Sequence, residues 1–194
     1  EMNRFIDVKP SKCIGCRTCE IACVLAHAEL GAALAMQPND QQGGDVLASL
    51  GQMPRLKVIK GENVCMPVTC HHCDDAPCAG ACPTGAISFV QDTVQVNGAR
   101  CIGCKSCMIA CPYGMIDVVA VAAVHPFAGV RLSMGKKAQA HKCDLCIDRA
   151  GGPACVAACP THALLVADPG KIYGGMHLRQ EESVREAVSN EATS

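Results

Sequence analysis

The 194-residue sequence has no tryptophan, two tyrosines and three phenylalanines. Large aromatics supply much of the buried area in an ordinary core, so something else must fill this one. Their scarcity, with no basic run, also argues against nucleic acid as a partner, which asks for cations to meet phosphate and rings for bases to stack on. Neither sign of charge dominates: 17 basic and 18 acidic residues leave a formal charge of −1. No apolar stretch is long enough to span a membrane, and no secretory or twin-arginine leader is read. The compartment expected is therefore the reducing cytoplasm, with attachment to the inner face of the membrane only through a complex. Glu1 before Met2 reads as an added or trimmed terminus. There is no glycine-rich dinucleotide loop, no phosphate-binding loop and no Ser/His/Asp set. No catalytic residue is assigned, and the chain is not expected to be an enzyme by itself.

What the sequence does have is 17 cysteines. Disulfides, zinc and iron–sulfur clusters are the three general readings of such density. The spacing favours the last. Cys101, Cys104, Cys107 and Cys111 fall at intervals of three, three and four, and Pro112 follows. That run holds a [4Fe–4S] cluster in bacterial ferredoxins, and its fourth cysteine ligates a neighbouring cluster. Paired Cys-x-x-Cys knuckles for zinc do not call for it. The fourth cysteine is expected on the start of a helix, pointing away from its own loop.

Three other groups share the pattern. Cys13, Cys16, Cys19 and Cys23 come first, followed by Val24 instead of proline. Cys70, Cys73, Cys78 and Cys82 precede Pro83, and Cys143, Cys146, Cys155 and Cys159 precede Pro160. Only 18 residues separate Cys82 from Cys101, so groups two and three are expected to form one unit. Crossing then gives Cys70, Cys73, Cys78 with Cys111, and Cys101, Cys104, Cys107 with Cys82. Groups one and four give Cys13, Cys16, Cys19 with Cys159, and Cys143, Cys146, Cys155 with Cys23. Pairing one with two and three with four is the alternative, because the crossing rule alone does not choose partners. Cys65 is left over and is expected to be a small buried hydrophobe.

Between the groups, strands are expected at Arg4–Val8, Leu56–Lys60, Met115–Val121 and Ala163–Ala167, and a hairpin at Ala86–Val90 and Thr93–Val96 around Gln91 and Asp92. Glu20–Leu30 reads as a helix. Residues 31–54 read as an insertion loop or a contact arm, 122–140 as a connection, and 169–194 as a polar tail with a helix over Glu181–Val188. The fold class expected is α+β: two interleaved bacterial-ferredoxin-like 2[4Fe–4S] units with short strands, short helices and long cluster loops. A single domain, 1–194, would contain an outer unit, 2–60 plus 136–168, and an inner unit, 61–125.

The segments Met2-Asn3-Arg4-Phe5, Cys13-Ile14-Gly15-Cys16-Arg17-Thr18-Cys19, Cys70-His71-His72-Cys73-Asp74-Asp75-Ala76-Pro77-Cys78, Lys142-Cys143-Asp144-Leu145-Cys146 and Gly152 through His162 carry a resemblance. They are similar to the four-cluster subunits that accompany molybdopterin oxidoreductases and some hydrogenases. Among these they resemble the small iron–sulfur subunit of formate hydrogenlyase and the HydN-type electron-transfer proteins. Some relatives replace a cysteine of the third group and hold a [3Fe–4S] cluster; here all four are present, so the resemblance implies four [4Fe–4S] clusters. It implies electron transfer between a molybdenum or tungsten formate dehydrogenase catalytic subunit, containing molybdopterin, and a hydrogenase or a further iron–sulfur subunit. Alternatives are a soluble exchangeable polyferredoxin, a maturation helper, or a subunit serving carbon monoxide dehydrogenase or another molybdopterin enzyme.

Four oxidised cubes would add roughly −8 to the chain, which makes nearby cations important. Arg17 and Lys105 sit inside two loops, either tuning potential and seating a partner or simply solvated. His71 and His72 are expected to pack or donate hydrogen bonds, not to ligate iron. Asp74, Asp75, Asp144 and Asp148 are expected to cap backbone amides. Elemental analysis of anaerobically purified protein should give about 16 iron per chain with matching sulfide. A few zinc and no sulfide would exclude the iron–sulfur reading.

Overall fold

The computed structural model describes residues 2–27, 53–127 and 130–191. The insertion expected at 31–54 lies outside the described residues except for its last two. The fold is α+β, with the cysteines on long loops between short elements. In chain order the described elements are β1 (Phe5–Val8), α1 (Thr18–His27), β2 (Lys57–Lys60), β3 (Cys65–Val68), α2 (Pro77–Gly80), β4 (Ile87–Val90), β5 (Thr93–Val96), α3 (Ser106–Ala110), β6 (Asp117–Phe127), β7 (Val130–His141), α4 (Ala154–Ala157), β8 (Leu164–Ala167) and α5 (Pro169–Glu191).

The strands pair two by two and antiparallel: β1 with β8, β2 with β3, β4 with β5, β6 with β7. The first pairing joins segments 160 residues apart, with Phe5 opposite Ala167 and Val8 opposite Leu164, and so sets group one beside group four. The β4–β5 hairpin lies between groups two and three. Gln91 and Asp92 form its two-residue loop, both at positive φ, as a right-twisted hairpin requires.

Four expectations are corrected. The connection expected over 122–140 is a long hairpin, β6 and β7, with a register shift between Ala122 and Val124. Pro126 and Gly135 read as breakers, but a ladder absorbs them near a tip and a bulge. The tail helix expected over Glu181–Val188 spans Pro169–Glu191. It starts where Asp168 Oδ1 accepts the Gly170 amide at 2.9 Å, and Pro169 fits the first turn. Cys65 is not deeply buried: it is half-buried at the start of β3, and a Cβ on Gly15 would lie 3.2 Å from its Sγ. The β2–β3 hairpin also crosses the boundary expected at 60/61.

Two apolar clusters form the core. One joins Ile6, Leu56, Val58, Leu145 and Leu164 to Cys19, Cys23 and Cys155. The other joins Ala76, Ile87, Val94, Ile116 and Ala140 to Cys107. No aromatic among the described side chains belongs to either; aliphatic side chains and cysteine sulfurs do that work.

Candidate metal centres

Three small cavities are walled by four cysteines apiece. One is lined by Cys82, Cys101, Cys104 and Cys107, one by Cys70, Cys73, Cys78 and Cys111, and one by Cys13, Cys16, Cys19 and Cys159. In each, three cysteines come from one group and one from the group expected to cross to it. Among the described residues no cavity joins groups one and two. The fourth expected set is Cys143, Cys146, Cys155 and Cys23. Cys23 and Cys155 pack in one apolar cluster with Leu145. His27 lies 3.8 Å from Cys23 Sγ and 4.0 Å from Cys146 Sγ. None of the seventeen cysteines is in a disulfide.

The backbone explains how the loops curl. Gly15 and Arg17 in the first group, and Gly103 and Lys105 in the third, have positive φ, which bends Cys-Ile-Gly-Cys-basic-hydroxyl-Cys around its centre. A Cβ on Gly103 would sit 2.5 Å from Ala138 Cβ on β7, so the hairpin closes against this loop only because the residue is glycine. Hydroxyls two residues on face the second cysteines: Thr18 at 3.3 Å from Cys16 Sγ and Ser106 at 3.5 Å from Cys104 Sγ.

The crossing cysteines share a different device. Cys82, Cys111 and Cys159 stand at the C-terminal ends of α2, α3 and α4, not at helix starts as expected. The helices have already ended, so the prolines that follow open a turn and do not break a helix. Each carbonyl accepts the amide three residues on, from Gly85, Gly114 and His162, at 3.2 Å, and those three residues have positive φ. The next amide then turns back: Ala86 to Cys82 Sγ at 3.3 Å, Met115 to Cys111 Sγ at 3.4 Å, Ala163 to Cys159 Sγ at 3.3 Å. Cys23, within α1, takes the Arg55 amide at 3.4 Å, and Cys101 takes the Ala140 amide at 3.3 Å.

Burial pushes the thiols of Cys19 and Cys155 up to about 12 and Cys78 to about 11. Cys143 moves the same way. Burial would raise Cys82 and Cys159 too, but their hydroxyl and amide donors bring them below the ordinary range. Thiols that resist ionising alone are held as thiolates by a metal. Sets of four sulfurs, apolar walls and amide donors aimed at the sulfurs fit iron–sulfur clusters.

Polar side chains concentrate around the fourth set. His27 Nδ1 is 2.7 Å from the Cys23 carbonyl, its Nε2 is 3.1 Å from Asp144, and Arg55 also pairs with Asp144. The hydrogen bonds to Asp144, Cys146 and Cys23 raise His27 to about 12. Burial alone would raise the Asp144 carboxyl, but His27 and Arg55 hold it well below the usual carboxylate range. Asp144 also accepts the Cys146 amide at 2.9 Å, and Asp74 accepts the Asn3 amide at 2.7 Å. Lys142 is buried between this set and the group-two cavity, where its Nζ donates to the carbonyls of Val94 and Cys143. His71 stacks between Phe5 and Tyr113, at 6.0 and 4.0 Å. His72 is buried and its Nδ1 accepts the Val94 amide at 3.0 Å. Arg17 and Lys105 line their cavities, Arg17 also lying 4.0 Å from Glu20.

Residues 62–169 match the 4Fe-4S dicluster domain, and residues 10–23 a 4Fe-4S binding domain. The chain is 49% identical to the electron transport protein HydN of Escherichia coli, over 88% of this chain and 91% of that protein. It is 46% identical to the putative electron transport protein YsaA of the same organism, over 88% and 94%. It is 41% identical to formate hydrogenlyase subunit 2, again from Escherichia coli, over 86% and 83%. The chain belongs to the 4Fe-4S dicluster domain family. Within that family it is an electron-transfer iron–sulfur protein of the HydN type, and its cofactors are [4Fe–4S] clusters. No described helix is long and apolar enough to cross a membrane.

Cysteine spacing pointed to the family, but it did not point to His27, Arg55 or Lys142. His27 stands four residues after Cys23 on one helix face, and Lys142 directly before Cys143; these were the available signals. Removing one partner of a largely buried ion pair leaves the other uncompensated. Asp144→Asn should therefore lower the guanidinium midpoint at which iron–sulfur absorbance is lost, equivalent to about 3 kcal/mol. Asp92→Asn, on the exposed hairpin turn, should stay within about 0.5 kcal/mol of the parent in the same titration.

Proposed function

We propose that this chain is a relay holding four [4Fe–4S] cubes, and that it passes single electrons between a molybdenum or tungsten formate dehydrogenase catalytic subunit and a hydrogenase or a further iron–sulfur subunit. The ligand sets are Cys13, Cys16, Cys19, Cys159; Cys143, Cys146, Cys155, Cys23; Cys70, Cys73, Cys78, Cys111; and Cys101, Cys104, Cys107, Cys82. The observation that carries this reading is the convergence of three crossing cysteines, Cys82, Cys111 and Cys159, each on the cavity of another group. The two apolar clusters support the two interleaved units, one built from groups one and four and the other from groups two and three.

A bound cube supplies a centre that changes by one electron with little geometric change. The chain's own residues set the order and the insulation. Lys142, directly before Cys143, lines the group-two cavity, and Cys19, Cys23 and Cys155 share one apolar cluster. The path therefore runs from the cube on Cys101, Cys104 and Cys107, through those on groups two and four, to the cube on Cys13, Cys16 and Cys19. Its ends carry the exposed Cys104 and Cys16. The relation to formate hydrogenlyase subunit 2 supports formate-linked partners in the cytoplasm or at the inner membrane face, and no substrate chemistry is assigned to the chain itself.

An anaerobic pull-down from the native host should bring down a large molybdopterin-containing subunit; recovery of the chain alone would count against the subunit reading. Cys111→Ser tests the wiring. It should perturb the paramagnetic signal of the cube on Cys70, Cys73 and Cys78. A loss confined to the cube on Cys101, Cys104 and Cys107 would overturn the crossed assignment.

A further inference from the structure

His72 is 1% exposed, and its ring has one satisfied nitrogen and one that is not. Nδ1 accepts the Val94 amide at 3.0 Å, so Nδ1 presents a lone pair. An imidazole with a lone pair on Nδ1 carries its proton on Nε2. That Nε2 is buried and has no hydrogen-bond partner. A buried donor without an acceptor is rare in a folded protein and calls for a missing partner. The two nitrogens lie on different edges of the ring, and the Nδ1 edge is spent on β5. His72 also forms part of the wall of the cavity lined by Cys70, Cys73, Cys78 and Cys111.

The backbone holds the ring in this pose. His72 has a φ of 45°, a left-handed conformation that few residues other than glycine adopt. Its carbonyl accepts from Asn3 Nδ2 at 2.8 Å. The neighbouring His71 is engaged elsewhere, stacked between Phe5 and Tyr113. Of the two histidines, one ring is thus used for stacking and the other is left with a single N–H that meets no hydrogen-bond acceptor among the described residues.

We infer, on the four-cube reading above, that the His72 Nε2–H donates a hydrogen bond to a sulfur of the cube held by Cys70, Cys73, Cys78 and Cys111. Such a donor stabilises the more negative, reduced cube and raises its reduction potential. His72 is a positioning and tuning residue, not a ligand.

The test is a redox titration of the full-length holoprotein followed by electron paramagnetic resonance, comparing His72→Phe with His72→Gln. Both remove the acceptor for the Val94 amide, but the glutamine side-chain amide keeps a donor near the position of Nε2. His72→Phe should lower one midpoint potential and leave the other three in place, and His72→Gln should move that potential back toward the parent value. Four unshifted potentials in His72→Phe, or equal shifts in the two variants, would overturn the inference. If His72→Phe fails to assemble its iron, an anaerobic crystal structure of the parent holoprotein decides. Nε2 within about 3.5 Å of a cube or cysteine sulfur supports the inference, and Nε2 against a water or a protein oxygen overturns it. A parent protein that loads no cube on these four cysteines would overturn the four-cube reading instead, and this inference falls with it.

Discussion

A sulfur that must face away from its own loop is the constraint on which the rest of this structure depends. Three cysteines can curl around one centre by local geometry, but the fourth has to be delivered to a neighbour. The chain solves this three times with one turn. A short helix ends, cysteine and proline follow, a residue at positive φ reverses the backbone, and the next amide points at the cysteine sulfur. That amide fixes the sulfur's direction and favours its ionised form. Strands β4 and β8 begin just after two of these turns, so the ladders inherit their positions from the cysteines. Cys23 departs from the pattern. It projects from the middle of α1 and draws its amide from Arg55, 32 residues away. Its set is also the one that gathers ionic side chains.

That concentration has a physical reason. Cubes are negative, and the inner positions lie farthest from the water that would screen them. Lys142, Arg55 and His27 are the cationic groups placed there, and each is tied to backbone or to Asp144 instead of being left mobile. A fixed cation near a buried anion is worth more than one on a solvated stem. Asp144 then has two tasks. It neutralises part of the cationic cluster and aligns it, so that the imidazole and guanidinium stay beside the sulfurs.

The sequence and the structure agree most where spacing is chemistry. Cys101, Cys104, Cys107, Cys111 and Pro112 declare a centre because ligand geometry admits few alternatives. The Gln91–Asp92 hairpin was legible from strand alternation on either side of a two-residue turn. Beyond Val121 the 117–141 hairpin was not, because Pro126 and Gly135 normally break strands and the alanines on either side of them, Ala122, Ala123, Ala138 and Ala140, carry little strand preference. Its role is still specific: β7 supplies the Ala140 amide to Cys101 and the wall that requires Gly103. Arg55 was invisible for another reason. It stands far along the chain from the cysteine groups on either side, between Cys23 and Cys70, and reaches Asp144 across 89 residues, a contact that no local signal encodes.

The two end loops show the same logic from outside. Cys13-Ile14-Gly15-Cys16-Arg17 and Cys101-Ile102-Gly103-Cys104-Lys105 have nearly the same sequence, and Ile14 and Ile102 are each 66% exposed. A hydrophobic residue that is left in water twice, at the same loop position beside an exposed cysteine, is not explained by packing within the chain. At both ends the apolar side chain and the adjoining cation frame the most accessible sulfur. A partner that covers this rim would exclude water from the exposed sulfur and find a positive charge beside it. On the relay proposed above, the interior of the chain would insulate and order the centres, and these two rims are where a second protein would complete them.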